Sequence, residues 1–381
     1  MAHRRVAVMV GAGSGHTNGI LHGIIRYAVA HGPWDFAVQF PGLSIVAVRD
    51  WDVDGIIVPL GKEEYARVFR GRDVPVVNCS GVLAVPGVPT VRVADREVGR
   101  TAAQHLLDRG FARFGFVGFP EFDFSRLRRA GFEEVLRASG LECAEYVPDP
   151  ALKNAWTWDA QELDLARWAA SLERPVAVLA CNDERAWHLA EACRRAGLRV
   201  PEEVAILGVD NDELRCEFTT PPLSSVAVPA ARIGFEAAAL LDRLMDGDVS
   251  PDATVFVHPQ GVVARQSTNT LPAADDDVAA AFKFIADNAG DAIRPDDVSA
   301  RVGSSVEALD GRFRAQLGRS LADEIRRARA QRAERILSET DLAMADVARA
   351  SGFRTTRRFA RAFRSETGLS PTDYRRRFRL G

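Results

Sequence analysis

The chain has 381 residues, 47% of them hydrophobic and 27% charged, with a net charge of −3. That balance is ordinary for a globular protein, and the length predicts two or three domains. No apolar run reaches the length of a signal peptide or a membrane span, so a cytoplasmic protein without membrane contact is expected.

Up to about Thr268, short β-branched runs alternate with amphipathic stretches. Residues 6–10, 36–40, 55–59, 74–78, 114–118, 176–180 and 204–209 read as buried strands, with helices at 98–107 and 185–196 among the segments between them. Continuous apolar strands separated by helices predict parallel sheets covered on both faces. This pattern runs longer than one doubly wound sheet needs, so two α/β lobes are expected. The loop Gly11-Ala12-Gly13-Ser14-Gly15 after the first strand has two readings, a phosphate cradle or a tight turn lining a cleft. His16 in place of a further glycine, and the lack of a Walker lysine, weaken the first. Cys79, Cys143, Cys181, Cys193 and Cys216 form neither a CxxC pair nor a ligand set with histidine. No metal, cofactor or disulfide framework is predicted.

Leu271-Pro272-Ala273-Ala274-Asp275-Asp276-Asp277 breaks the periodicity and reads as a linker. It divides the chain into residues 1–270, 271–277 and 278–381. Beyond it only helical patterns occur, and the charge changes sign: residues 276–381 hold 21 Lys and Arg against 16 Asp and Glu. The basic balance at this end suits a phosphate backbone, so a mildly acidic chain does not argue against DNA.

Two helix-turn-helix patterns follow. In the second, 344–351 is the first helix, Gly352 the turn, and Thr355 the N-cap of a helix starting at Thr356. Phe359, Ala362 and Phe363 share its inward face, which leaves Arg357, Arg361 and Arg364 on the other, with Thr356 beside them. An arginine-rich helix face is usually just a solvated surface, but this context aims it at a major groove, with Arg354 and Arg358 flanking. Arg375, Arg376 and Arg377 suit phosphates better than bases. The first pattern has helices at 295–302 and 305–317 around Gly303, with Leu309 and Phe313 inward and Ser305 and Arg312 as candidate DNA contacts. A long helix from Leu321 to Leu337 joins the two units and would hold the readers in successive turns of one groove.

This C-terminal region resembles the AraC family of transcription regulators over about a hundred residues. The resemblance rests on Leu317-Gly318, Ser338-Glu339-Thr340-Asp341, Val347-Ala348, Gly352-Phe353, Phe359, Phe363 and Gly368-Leu369-Ser370-Pro371 with Tyr374-Arg375. Glu307, Asp310 and Gly311 depart from the family's usual polar or basic first reader. Acidic groups repel phosphates and a mid-helix glycine costs about 1 kcal/mol, so the first reader is expected to be the weaker.

Residues 5–268 resemble the effector-binding domain of the LacI type, itself similar to periplasmic sugar-binding proteins. The matching residues are Asp95-Arg96-Glu97-Val98-Gly99, Phe114-Gly115-Phe116-Val117-Gly118, Ser125-Arg126-Leu127-Arg128, Cys181-Asn182-Asp183, Val209-Asp210-Asn211 and Val263-Ala264-Arg265-Gln266-Ser267-Thr268. The resemblance implies a cleft between two lobes, with Asp95, Arg128, Asn182 and Asp210 facing it, His16 reaching it from the first loop, and Trp158 covering a sugar ring. Taken without the resemblance, Asp210 reads as a turn former and Trp158 as a packing aromatic. Together the two resemblances imply a non-enzymatic regulator: a homodimer on double-stranded operator DNA, gated by a sugar of the pentose class, and contacting RNA polymerase if it activates. The competing reading is a sugar- or nucleotide-acting enzyme using Asp95, Asp210 or Glu184 as acid and base. It lacks a phosphate loop, a metal cluster and a Ser/His/Asp spacing, and it leaves the tandem readers unexplained.

Overall fold

The computed structural model describes residues 3–11, 13–38, 51–61, 63–69, 74–83, 85–149, 158–248, 253–272 and 275–378. In chain order the first lobe contributes β1 (Arg4–Val8), α1 (Gly15–His31), β2 (Trp34–Val38), β3 (Gly55–Val58), α2 (Glu63–Phe69), β4 (Val76–Asn78) and β5 (Thr90–Val93). The second lobe follows with α3 (Asp95–Leu107), β6 (Phe114–Val117), α4 (Asp123–Ala138), β7 (Cys143–Glu145), α5 (Trp158–Ser171), β8 (Val176–Ala180), α6 (Asp183–Arg195), β9 (Val204–Asp210), α7 (Glu213–Phe218) and β10 (Ser224–Ala227). The chain then returns to the first lobe through α8 (Ala230–Met245) and β11 (Thr254–Val257), and leaves it again for β12 (Val262–Val263).

Each lobe is built on a six-stranded sheet, in the orders β11-β5-β4-β3-β1-β2 and β12-β10-β9-β8-β6-β7. Among the described residues every pairing is parallel except that of β12 with β10. Strands such as Gly55–Val58 and Val176–Ala180 are buried throughout, as expected where helices cover both faces. The second expected strand begins earlier than predicted, at Trp34, and residues 39 and 40 lie outside the described residues.

Three crossings join the lobes, after β5, after β10 and between β11 and β12. They lie side by side, since Ala94 N–H donates to Val257 O at 2.9 Å and Gln260 N–H donates to Ala227 O at 2.9 Å. Within the second lobe, α3 and α4 meet backbone to backbone. A Cβ on Gly99 would lie 1.9 Å from Arg128 O, and one on Gly131 would lie 2.0 Å from Arg96 O. Only glycine permits this approach, and it brings the Asp95 end of α3 beside Arg128 on α4.

The C-terminal region is helical: α9 (Asp276–Asp287), α10 (Pro295–Val302), α11 (Val306–Leu317), α12 (Leu321–Glu339), α13 (Met344–Ala350), α14 (Thr356–Thr367) and α15 (Pro371–Phe378). Gly303 and Gly352 make the two turns, with φ of 70° and 72°. One helical core gathers Leu309, Phe313, Leu321 and Ile325 with residues of α9, and a second gathers Leu337, Val347, Phe359, Phe363 and Tyr374. α12 spans both cores.

The linker expected at 271–277 is corrected at both ends. Leu271 is buried in the first helical core. Asp275 caps α9 by accepting from Val278 N–H at 3.0 Å, and Asp276 and Asp277 occupy its first turn. Carboxylates are stabilising at a helix N-terminus, so this acidic run starts a helix. No helix among the described residues is long and apolar enough to cross a membrane.

Candidate ligand cleft and nucleic-acid interface

A cavity of about 320 Å³ lies between the lobes, at the strand ends near the crossings. Asp95, Arg128, Asn182, Asp210 and His16 all line it, together with Phe124, Asp183, Asp212 and Arg215. Trp158 opens α5, and its side chain lies outside the described residues. Trp168, which shares its helix, packs inside the second lobe against Tyr146.

Arg128 organises the floor. Its Nε donates to Asp95 Oδ1 at 2.9 Å and its Nη1 to Cys181 O at 2.6 Å, with Asp210 Oδ1 at 3.5 Å. Its guanidinium lies 5.0 Å from the Phe124 ring. Arg92 Nη2 holds the other Asp95 oxygen at 3.2 Å. Burial pushes the Asp95 carboxyl up, against the downward pull of Arg128 and Arg92. Phe124, rather than a tryptophan, is the described aromatic in the cavity. It lies in the first turn of α4, directly before Ser125-Arg126-Leu127-Arg128, where the motif draws attention to the polar residues.

Asp183 carries no role in the sequence reading, yet it sets the geometry of Asp210. Its Oδ1 accepts from Ser225 Oγ–H at 2.6 Å and its Oδ2 from Asp212 N–H at 2.8 Å, while Ser225 Oγ accepts from Asn211 N–H at 2.9 Å. Asp210 has a φ of 109°, which a non-glycine residue adopts only when its surroundings enforce it, and Asn211 one of 54°, in the left-handed region that asparagine tolerates. The Asp183 and Ser225 network supplies that enforcement and aims Asp210 into the cavity.

Burial, and then the nearby Asp210 carboxylate, push Asp183 up to about 8. Because the folded state favours its protonated form, its contribution to stability is complete below about pH 4 and is lost as pH rises toward 8. Asp183→Asn keeps a carbonyl for Asp212 N–H and removes the charge. Its stability curve between pH 5 and 8, from urea melts, should therefore be flatter than wild type, by about 1 kcal/mol per pH unit at most. Parallel curves would refute this.

At the end of the glycine-rich loop, Ser14, His16 and Thr17 line the cleft. Ser14 caps α1 through Thr17 N–H at 3.1 Å, and Gly15 N–H donates across the cleft to Asp212 Oδ2 at 2.9 Å. The helix N-terminus thus holds a carboxylate of the other lobe. Overall the cavity offers carboxylate acceptors, the donors of Arg128 and Asn182 and one aromatic face, a lining that matches vicinal hydroxyls and a C–H face.

At the other end of the chain, α14 exposes Arg357, Arg358, Arg361 and Arg364 while Phe359 and Phe363 are fully buried. Thr355 caps it by accepting from Arg358 N–H at 3.3 Å, and Arg354 and Thr356 are exposed beside it. In the first unit Ser305 caps α11 and is exposed. Arg312, expected at the DNA, instead pairs with Asp275 at 3.3 Å and Asp277 at 2.9 Å and donates to Ser304 Oγ at 2.9 Å. Those carboxylates at the start of α9 draw the guanidinium toward the protein. Asp310 also turns inward. It accepts from Arg314 Nε and from Leu321 N–H, both at 2.8 Å, and Arg314 first, then Leu321, hold its carboxyl below the usual range. Glu307 remains exposed on α11.

A two-lobed cleft followed by paired helix-turn-helix units is the build of an effector-controlled transcription regulator. Residues 103–268 match a periplasmic binding protein-like domain, and residues 298–377 match a helix-turn-helix domain. The chain is a DNA-binding transcription regulator of this composite kind, and its relatives are regulators, not enzymes. It is 27% identical over 385 residues to the xylose operon regulatory protein of Escherichia coli (strain K12), covering 97% of this chain and 96% of that one. The protein of the same name from Haemophilus influenzae is 24% identical, with coverage of 97% and 98%. The solved structure of a xylose-binding transcription activator matches all of both chains, with a TM-score of 0.64 and 25% identity.

Proposed function

We propose that the chain is a cytoplasmic, sugar-responsive regulator that acts as a homodimer on operator DNA. We further propose that it activates a pentose operon, of the xylose type, through contact with RNA polymerase. The observation that carries the sugar reading is the Arg128 clamp on Asp95 and Asp210 inside the interlobe cavity. A volume of about 320 Å³ stands at the small end of ligand pockets, roughly 300–1,000 Å³, and suits a monosaccharide. The names of the full-length relatives support a xylose-like pentose. In this reading Asp95, Arg128, Asn182, Asp210, His16 and Trp158 contact the sugar. Arg354, Thr355, Thr356, Arg357, Arg358, Arg361 and Arg364 contact DNA, with Ser305 from the first unit. Residues 1–270 form the effector domain, and the reader begins at Leu271, whose side chain sits in its first core, with α9 starting at Asp276.

Calorimetry with D-xylose, L-arabinose, D-ribose, D-glucose and D-galactose tests it. Saturable heat is expected from one pentose, with a change in DNA affinity when that sugar is present. Heat from none of the five, or chemical turnover of the bound sugar, would overturn the reading.

A further inference from the structure

A second cavity, of about 300 Å³, lies where the effector region meets the helical reader, and it shares no lining residue with the interlobe cleft. The reader contributes one face of α12, where Glu324, Ala328, Gln331, Arg332 and Arg335 follow one another at helical spacing. The effector region contributes Arg109, from the turn after α3, and Arg265 and Gln266, which follow β12. Phe282 of α9 adds an apolar surface, and the Arg109 guanidinium lies 5.8 Å from its ring.

Four guanidinium groups thus share one cavity, and carbonyls rather than carboxylates hold three of them. Arg109 Nε donates to Thr268 O and its Nη1 to His105 O, both at 3.0 Å. Arg265 Nη1 donates to Leu223 O at 3.0 Å, and Arg332 Nε to Ala350 O at 2.7 Å. Among the described residues none of these three makes an ion pair, and Arg335 makes neither a hydrogen bond nor an ion pair. The two carboxylates of the lining are engaged elsewhere: Glu324 pairs with Arg319, and Asp287 accepts from Asn269 Nδ2 at 3.3 Å. Four guanidinium groups against two carboxylates leave the lining with an excess of two positive charges. Arg109 is only 6% exposed, and burial pushes its guanidinium down to about 10, against the upward pull of Glu324. A buried cation is costly unless a counter-charge lies beside it, and here the protein offers carbonyls alone.

We infer that this cavity is a second ligand site, for a small dianion: the phosphate monoester of a sugar or polyol. A dianion offsets the excess of two charges, and guanidinium forks match phosphate oxygens in pairs. The side-chain amides of Gln266 and Gln331 suit the hydroxyls of the ester's other end. The volume stands at the small end of ligand pockets, close to that of the interlobe cavity at about 320 Å³. Bound there, the ester bridges Arg109 and Arg265 to Arg332 and Arg335 on α12, and it stabilises the junction of the two regions by its binding free energy.

Titration calorimetry of the full-length chain in phosphate-free buffer tests this. The probes are D-ribose 5-phosphate and D-glucose 6-phosphate, beside inorganic phosphate and succinate. One-to-one binding of at least one ester is expected, with phosphate and succinate weaker because neither presents hydroxyls to the amides. Arg335→Gln on the reader and Arg265→Gln on the effector region should each weaken the ester by about ten- to 150-fold, the effect of one charged hydrogen-bonding group. Arg335 holds no described partner, so its replacement should melt as wild type does, while the ester raises the melting point of wild type more than that of the variant. Arg301→Gln, exposed on α10 and outside the lining, should leave the affinity unchanged. Heat from neither ester, unchanged affinity in either cavity variant, or an equal loss in Arg301→Gln would overturn the inference. Phosphate or succinate binding as tightly as the esters would overturn it too, since the cavity would then recognise charge alone. The interlobe reading is decided by the unphosphorylated sugars, so either site can fail while the other stands.

Discussion

Replacing Arg128 with alanine is expected to abolish sugar binding and to lower the free energy of unfolding by about 3–5 kcal/mol, the usual effect of removing one partner of a buried ion pair. Arg128 is only 3% exposed and Asp95 only 2%. The truncation strands Asp95 on Arg92 alone, leaves Cys181 O without its donor and frees Asp210 to drift. Arg128→Lys should fall between the two, since an ammonium keeps the charge but cannot serve Asp95, Cys181 O and Asp210 together as a planar fork does. Asn182→Ala separates binding from folding. Asn182 caps α6 by accepting from Arg185 N–H at 2.9 Å, so its loss costs about 1 kcal/mol of stability and removes a cavity group without stranding a charge. Denaturant titration and calorimetry on the three variants check this. Arg128→Ala that binds the wild type's sugar with unchanged affinity would remove the clamp from the site.

The parts of the fold legible in the sequence are those where one physical demand acts alone. Val176–Ala180 is buried on both faces, and its apolar run marks the strand to the residue. The helix-turn-helix units were legible because Gly303, Gly352, Ser305 and Thr355 each meet a local backbone requirement. Strands escaped where side chains also had to make polar contacts. β5 carries Arg92 because Asp95 needs it, and β10 carries Ser224 and Ser225 because Arg265 and Asp183 need them. Neither run shows the apolar signature of a buried strand. The site was legible in the same uneven way. Asp95, Arg128, Asn182, Asp210 and His16 reach one cavity, but Asp183 acts through a network of partners 29 and 42 residues away that no local pattern encodes. Arg312 fits a DNA-facing helix by spacing, and only the placement of α9 reveals Asp275 and Asp277 beside it.

The same contrast separates the arginines of the two readers by experiment. Arg357→Ala and Arg361→Ala should each weaken specific DNA binding by roughly 1–3 kcal/mol, about five- to 150-fold, and relax discrimination at single base positions. Both side chains are exposed, opposite the buried Phe359 and Phe363, so unfolding should change by no more than about 0.5 kcal/mol. Arg364, a turn further along α14, is expected to touch phosphate. Its removal should weaken all duplexes alike and reduce the slope of log affinity against log salt by about one. Arg312→Ala inverts the pattern. Its guanidinium is committed to Asp275 and Asp277, so base discrimination should stay as in wild type while the packing of α9 on α11 loosens. Binding isotherms on a selected duplex and its single-base variants, at two salt concentrations, distinguish these effects. Unchanged affinity in both Arg357→Ala and Arg361→Ala would take the reading surface away from this face of α14, and a loss of base discrimination in Arg312→Ala would return it to the first unit.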